Sequence, residues 1–206
     1  MNRLLSSLLA TLAVISLGCS TLSPRPDPSR FFTLSPLPQV EGAARSPSGA
    51  EGIVIGVGPV KLPGYLDRQE LVLRSSQNRF TVAANDLWAE SLEDNFTRVV
   101  SQNLATLLQT DRVFSYPWPD SRRPSYQITI EVLRFEANAA QQAQLWARWA
   151  LVDGNSRKPL SVQLTHRTRP IQDRTSEAAV AALSDALGDF SRELADAIGT
   201  AANLSK

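Results

Sequence analysis

Three consecutive stretches in the second half of the chain alternate apolar and polar residues: "SYQITIEVLRFEAN" from residue 125, "AQLWARWALVDG" from 143 and "PLSVQLTHRTRPI" from 159. A period of two sustained over ten residues is the pattern of a strand with one face on a core and one face away from it. In the second stretch Leu145, Ala147, Trp149 and Leu151 share a face, and in the third Val162 and Leu164 do so. The "DGNS" between them is a strong turn signal. The period then changes. In "TSEAAVAALSDALGDFSRELADAIGTAANL" the apolar residues Val180, Leu183, Leu187, Phe190, Leu194 and Ile198 recur every three or four positions, the spacing of one helical face.

The first half is built from the same two periods. "RFFTLSPLP" predicts a short strand that stops at its prolines, and "GIVIGVGPVKLP" predicts a buried strand through Ile53, Val54, Ile55, Val57 and Val60. Pro59 and Pro63 place the far end of that strand at a sheet edge. Gly56 and Gly58 do not make a phosphate-binding loop, because Pro59 stands where a helix would start and no Lys-Ser/Thr pair follows. "ELVLRSSQNRFTVAA" alternates on both sides of "SSQN" and predicts a β-hairpin. A helix is expected next, over "ANDLWAESLEDNFTRVVSQNLATLLQ", with Leu92, Phe96, Val99, Val100, Asn103, Leu104, Leu107 and Leu108 on one stripe and Asn85 or Asp86 as N-cap. Glu90, Glu93 and Asp94 suit the positive end of its dipole. This order predicts an α+β fold: a largely antiparallel β-sheet with two amphipathic helices packed on one face.

The N-terminus belongs to another regime. Arg3 and the apolar run Leu4–Leu17 have the layout of a signal peptide, and fourteen residues fall short of the roughly 20 that span a bilayer. Ser16 and Gly18 are the small residues a signal peptidase requires, and Cys19, the single cysteine, follows them. "STLSPRPDPS" then carries three prolines and no apolar period, so an extended tether is expected. Ten residues at about 3.3 Å each reach about 30 Å. The expected organisation is a signal peptide over residues 1–18, Cys19 and a tether over 19–29, and a single α+β domain over 30–206. A net charge of +1 gives no electrostatic case for nucleic acid.

"SLGC" resembles a bacterial lipobox, which implies that Cys19 is lipidated on sulfur, becomes the first residue and is acylated on its amine; Ser16 stands where that pattern has Leu. Three chains would anchor the protein permanently. Ser20 resembles the residue that follows the cysteine in lipoproteins sorted to the outer membrane. A broader resemblance rests on "FFTL", on "LPGYLDR" followed some twenty residues later by "NDLWAESL", and on the closing amphipathic helix. Together these resemble the PqiC family, auxiliary lipoproteins of ABC-type transport systems. The resemblance implies a periplasmic domain held at the outer membrane, working with an MCE-domain membrane protein that conducts lipids between two bilayers.

The residues themselves carry no obvious chemistry. His166 is the only histidine and has Arg167 and Arg169 as neighbours, which suits a surface position rather than an acid–base pair or a metal cluster. No serine lies in a Gly-x-Ser-x-Gly elbow. No enzymatic activity is expected, and no cofactor beyond the covalent lipid on Cys19. The candidate partner or oligomer contacts are Tyr65, Leu66 and Trp88, read either as packing residues or as an exposed apolar patch. Trp146 and Trp149 must face opposite sides of their strand, so a second copy of the chain could cover the outward one. Three roles stay open: a docking lipoprotein of a lipid transporter, a structural lipoprotein that tethers another envelope assembly, and an envelope hydrolase, for which the catalytic constellation is missing.

Overall fold

The computed structural model describes residues 27–38, 53–119 and 123–204, so the signal peptide, Cys19 and most of the tether lie outside the described residues. The long alternating runs become β6 (Tyr126–Asn138), β7 (Gln142–Asp153) and β8 (Pro159–Pro170), an antiparallel meander. The other strands are β1 (Arg30–Phe32), β2 (Ile55–Lys61), β3 (Glu70–Ser76), β4 (Arg79–Trp88) and β5 (Val113–Ser115), and the helices are α1 (Leu92–Leu107) and α2 (Ser176–Leu204). Both helices lie on one face of the eight-stranded sheet, α2 against β7 and β8, and α1 against α2, β2 and β5. The α+β class with two helices on one face therefore holds.

β6 organises the sheet. One of its edges pairs with β7 along nearly its full length. The other is shared end to end by β2, parallel to Tyr126–Glu131, and β3, parallel to Ala137–Asn138. The chain leaves this edge after Lys61, makes an excursion over residues 62–69, and rejoins it in the same direction. β3 and β4 form the expected hairpin, turning at Gln77 and Asn78. β1 adds to β4 and β5 to β2, both in parallel, so the sheet is mixed although its longest ladders are antiparallel. β5 covers β2 only as far as Val57, so the far end of β2 is free on that side, as its prolines suggested. Gly56 has a reason unrelated to phosphate: a Cβ there would meet the Trp118 ring at 2.8 Å and Pro124 at 2.9 Å.

Trp149, Leu145, Leu151, Phe135, Ile128 and Ile55 from the sheet meet Phe96, Leu104, Phe190, Leu187 and Leu194 from the helices in one apolar core. The core also holds polar groups with one purpose. The segment after β1 runs between the helices, where it has no strand to pair with, and side chains take up its backbone donors. Leu34 N–H donates to Asn95 Oδ1 (2.8 Å), Ser35 N–H to Ser184 Oγ (3.1 Å) and Leu37 N–H to Asn103 Oδ1 (2.7 Å). Asn103 in turn donates to Ser191 Oγ at 3.1 Å. Two polar residues on the apolar stripe of α1 thus replace a missing ladder.

The helix start differs from expectation. β4 continues through Asp86 and Trp88 because β1 pairs with it there, and α1 begins at Leu92 with Ser91 as N-cap. Asp86 caps nothing. Buried, it accepts from Arg30 Nε (2.7 Å) and Nη2 (2.8 Å) and from the Ser176 hydroxyl, tying β1 and β4 to the start of α2.

Candidate docking cleft

The excursion over residues 62–69 and the entry to α1 face each other across a cleft of about 620 Å3. Leu62, Gly64, Leu66, Asp67, Arg68 and Gln69 form one wall, and Glu90, Ser91, Leu92, Glu93 and Asp94 form the other. Pro63 opens the first wall, and a 3₁₀ turn over Gly64–Leu66 is closed by Leu66 N–H on Pro63 O at 2.9 Å. Trp88 N–H donates to Gln69 O at 2.6 Å and joins the walls at their base. The cleft is acidic, with Asp67, Glu90, Glu93 and Asp94 against Arg68. Hydrogen bonds from Arg98 and Asn95 hold the Glu90 carboxyl below the usual carboxylate range.

The three candidate contact residues occupy different places. Leu66 is 3% exposed and Trp88 6%, so both are core side chains of this chain and present no apolar patch at the surface. Tyr65 is half-buried on the other side of the turn, stacked on Phe80 with ring centroids 4.5 Å apart. Its hydroxyl donates to Glu136 Oε2 at 2.5 Å. Glu136 is 1% exposed and also accepts from Arg74 Nε (2.6 Å) and from Phe135 N–H (3.1 Å). Burial first, and then the Glu136 carboxylate, push the Tyr65 phenol above its ordinary value. The same carboxylate raises Arg74 against the opposing effect of burial. This clamp fixes the excursion to β6 and so sets the shape of the cleft wall. Sequence reading missed it, because strict alternation from Ile128, Ile130 and Val132 puts Glu136 on the core face, and only the bulge between Val132 and Arg134 turns it to the face away from the helices.

Trp149 lies in the core and Trp146 points the other way, as alternation requires. Trp146 sits between Arg134 of β6, 4.1 Å from its ring, and the His166 ring of β8, stacked at 4.3 Å. The motive for a second copy over Trp146 is thereby met within one chain. His166 has this aromatic role, and among the described residues no acid is hydrogen-bonded to its ring. Among the described residues no group of three or more His, Cys, Asp or Glu side chains could hold a metal ion, and no helix is long and apolar enough to cross a membrane.

Two solved structures share the fold. One is a crystal structure of an uncharacterised protein, 18% identical, with a TM-score of 0.67 over 82% of this chain and 98% of the other. The second is a Xanthomonas campestris protein of the DUF330 family, 16% identical, with a TM-score of 0.66 over 86% of this chain and all of the other. No curated protein matches the sequence. The pattern of ABC-type transport auxiliary lipoprotein components matches residues 32–195, from the last residue of β1 well into α2. The chain therefore belongs to the family of ABC-type transport auxiliary lipoprotein components.

Proposed function

We propose that this chain is a non-catalytic docking subunit of an MCE-type lipid transport system, held by a lipidated Cys19 on the periplasmic face of the outer membrane and supporting envelope integrity. The observation that carries the reading is the convergence of two distant stretches. "LPGYLDR" and the end of "NDLWAESL", Glu90 to Leu92, through which the chain resembles the PqiC family, meet as opposite walls of the cleft. Their side chains divide the work. Leu66 and Trp88 hold the walls from inside, and Tyr65 locks one wall to β6. Asp67, Glu93 and Asp94 are left at the surface, where they suit a basic segment of the partner.

The test is mass spectrometry of the mature N-terminus from an outer-membrane fraction, joined to a crosslinking pull-down from the same fraction. Triacylated Cys19 and capture of an MCE-domain protein are expected, with capture lost in Asp67→Arg/Glu93→Arg. An unmodified Cys19, or capture indifferent to the double substitution, overturns the reading.

A further inference from the structure

All six large apolar side chains that stay exposed among the described residues lie on the sheet face away from the helices or at its rim: Phe31, Val82, Tyr116, Leu160, Val162 and Leu164. Register places them there. Leu164 pairs with Arg148 and Val162 with Ala150, the face of β7 opposite Trp149, and Leu160 shares their parity on β8. Val82 pairs with Val72 beside the Arg74–Phe80 pair, and Phe31 alternates away from Phe32, which packs on the core. Tyr116 lies over Gly58, edge to face with Trp118.

The charges on this face are unbalanced. Lys61, Arg68, Arg74, Arg134 and Arg148 stand with Asp67, Glu70, Glu131 and Glu136, of which Glu70, Glu131 and Glu136 are taken by Arg68, Arg148 and Arg74. Lys61 and Arg134 form no ion pair among the described residues. At the start of β8, Arg157 and Lys158 are exposed and form no ion pair among the described residues, and the Asp153 carboxylate accepts the Asn155 and Ser156 backbone N–H groups. A row of aliphatic side chains flanked by amphipathic aromatics and by cations, of which Lys61 and Arg134 have no carboxylate partner among the described residues, is what a lipid interface selects.

We infer that this open face lies on an anionic phospholipid bilayer, the one that carries the anchor; the inference rests on lipidation at Cys19. Chain length agrees. Asp27 is eight residues from Cys19, a reach of about 26 Å. The tether joins the sheet at β1, one rim of the face, and five strand spacings across to β8 amount to about 24 Å. The anchor is thus long enough for the whole face to settle on the bilayer that holds it. The apolar groups are also spread across that width rather than gathered in one pocket, which fits a fluid surface better than a protein hot spot.

The buried apolar residues run from Leu34 to Ala202, so a chain starting at residue 19 keeps the entire core. We would use that chain with Cys19→Ser, free of lipid and partner, and measure co-sedimentation with phosphatidylethanolamine vesicles containing phosphatidylglycerol. Binding is expected, and Val162→Asp/Leu164→Asp should weaken it at least about tenfold while a control on the helical side, Ala181→Asp, leaves it unchanged. Arg134→Gln, which spares the aliphatic row, should make binding less sensitive to salt. Failure of the parent chain to bind, or binding indifferent to the aliphatic and arginine substitutions alike, overturns the inference. So does light scattering in which the same substitutions disperse an oligomer, for the face would then belong to a second copy. None of these results depends on the transport partner, whose absence is read separately by the pull-down.

Discussion

Glu136→Gln isolates the clamp on the cleft wall, because the two side chains have the same shape and differ in charge and donors. Oε1 of the buried carboxylate takes Arg74 Nε, and Oε2 takes both the Tyr65 hydroxyl and Phe135 N–H. An amide offers one acceptor and one donor group, so either orientation leaves a conflict. With NH₂ at the Oε2 position the Phe135 N–H faces another donor; with NH₂ at the Oε1 position Arg74 does. One charge-assisted hydrogen bond is lost and a buried donor is orphaned, which costs about 2–3 kcal/mol, discounted from the 3–5 kcal/mol of a fully buried broken pair because Arg74 is 16% exposed. Tyr65→Phe keeps the stack on Phe80 and removes one hydrogen bond to the same carboxylate, for about 1–2 kcal/mol. The two losses share an acceptor, so the double variant should cost less than their sum by about 1 kcal/mol. Urea unfolding followed by far-ultraviolet circular dichroism measures all three, with m unchanged if only the folded state is affected. A Glu136→Gln loss under about 0.5 kcal/mol, or strict additivity, would refute the clamp.

Two further outcomes follow from burial and from titration. Trp88→Ala removes a core side chain that is 6% exposed, so it should destabilise the chain by about 3–5 kcal/mol; an unchanged melting temperature would return Trp88 to the surface. The raised Tyr65 phenol means that the folded state keeps its proton where the unfolded chain releases it. The stability this contributes is complete below the ordinary phenol value near 10 and falls as pH rises above it. The difference in unfolding free energy between the parent chain and Tyr65→Phe should therefore shrink from about pH 10 upward, and a difference independent of pH would contradict the assignment.

What the sequence made legible depended on the length of each pattern. β7 and β8 hold period two over twelve residues, β6 does so up to its bulge after Val132, and α2 holds period 3.6 for twenty-nine, so each appears within a residue or two of its reading. The run from Asn85 to Ala89 reads as a helix start, and what makes most of it a strand end instead is β1, 56 residues away in sequence. Three-residue parallel pairings such as β1 on β4 and β5 on β2 leave no periodic trace at all. The cleft was half visible. Its two walls were the stretches that carry the resemblance, but their meeting depends on β2 and β3 sharing one edge of β6, which no local pattern encodes. Asn95 and Asn103 offered a usable signal, as polar residues on an otherwise apolar helical stripe with burial and no role in solvent.

The segment that follows β1 has a mechanical meaning. A pull on residues 27–29 acts along the axis of β1, in line with its parallel pairing to β4. The same pull loads the Arg30–Asp86 pair and the side-chain bonds from Asn95, Ser184 and Asn103 to residues 34–37. The β1–β4 ladder is loaded in shear along its strands, whereas a hairpin pulled from its open end gives way one pair at a time. Load entering at residue 27 therefore passes through Asp86, Asn95, Ser184 and Asn103 to both helices and the sheet rather than resting on β1 alone.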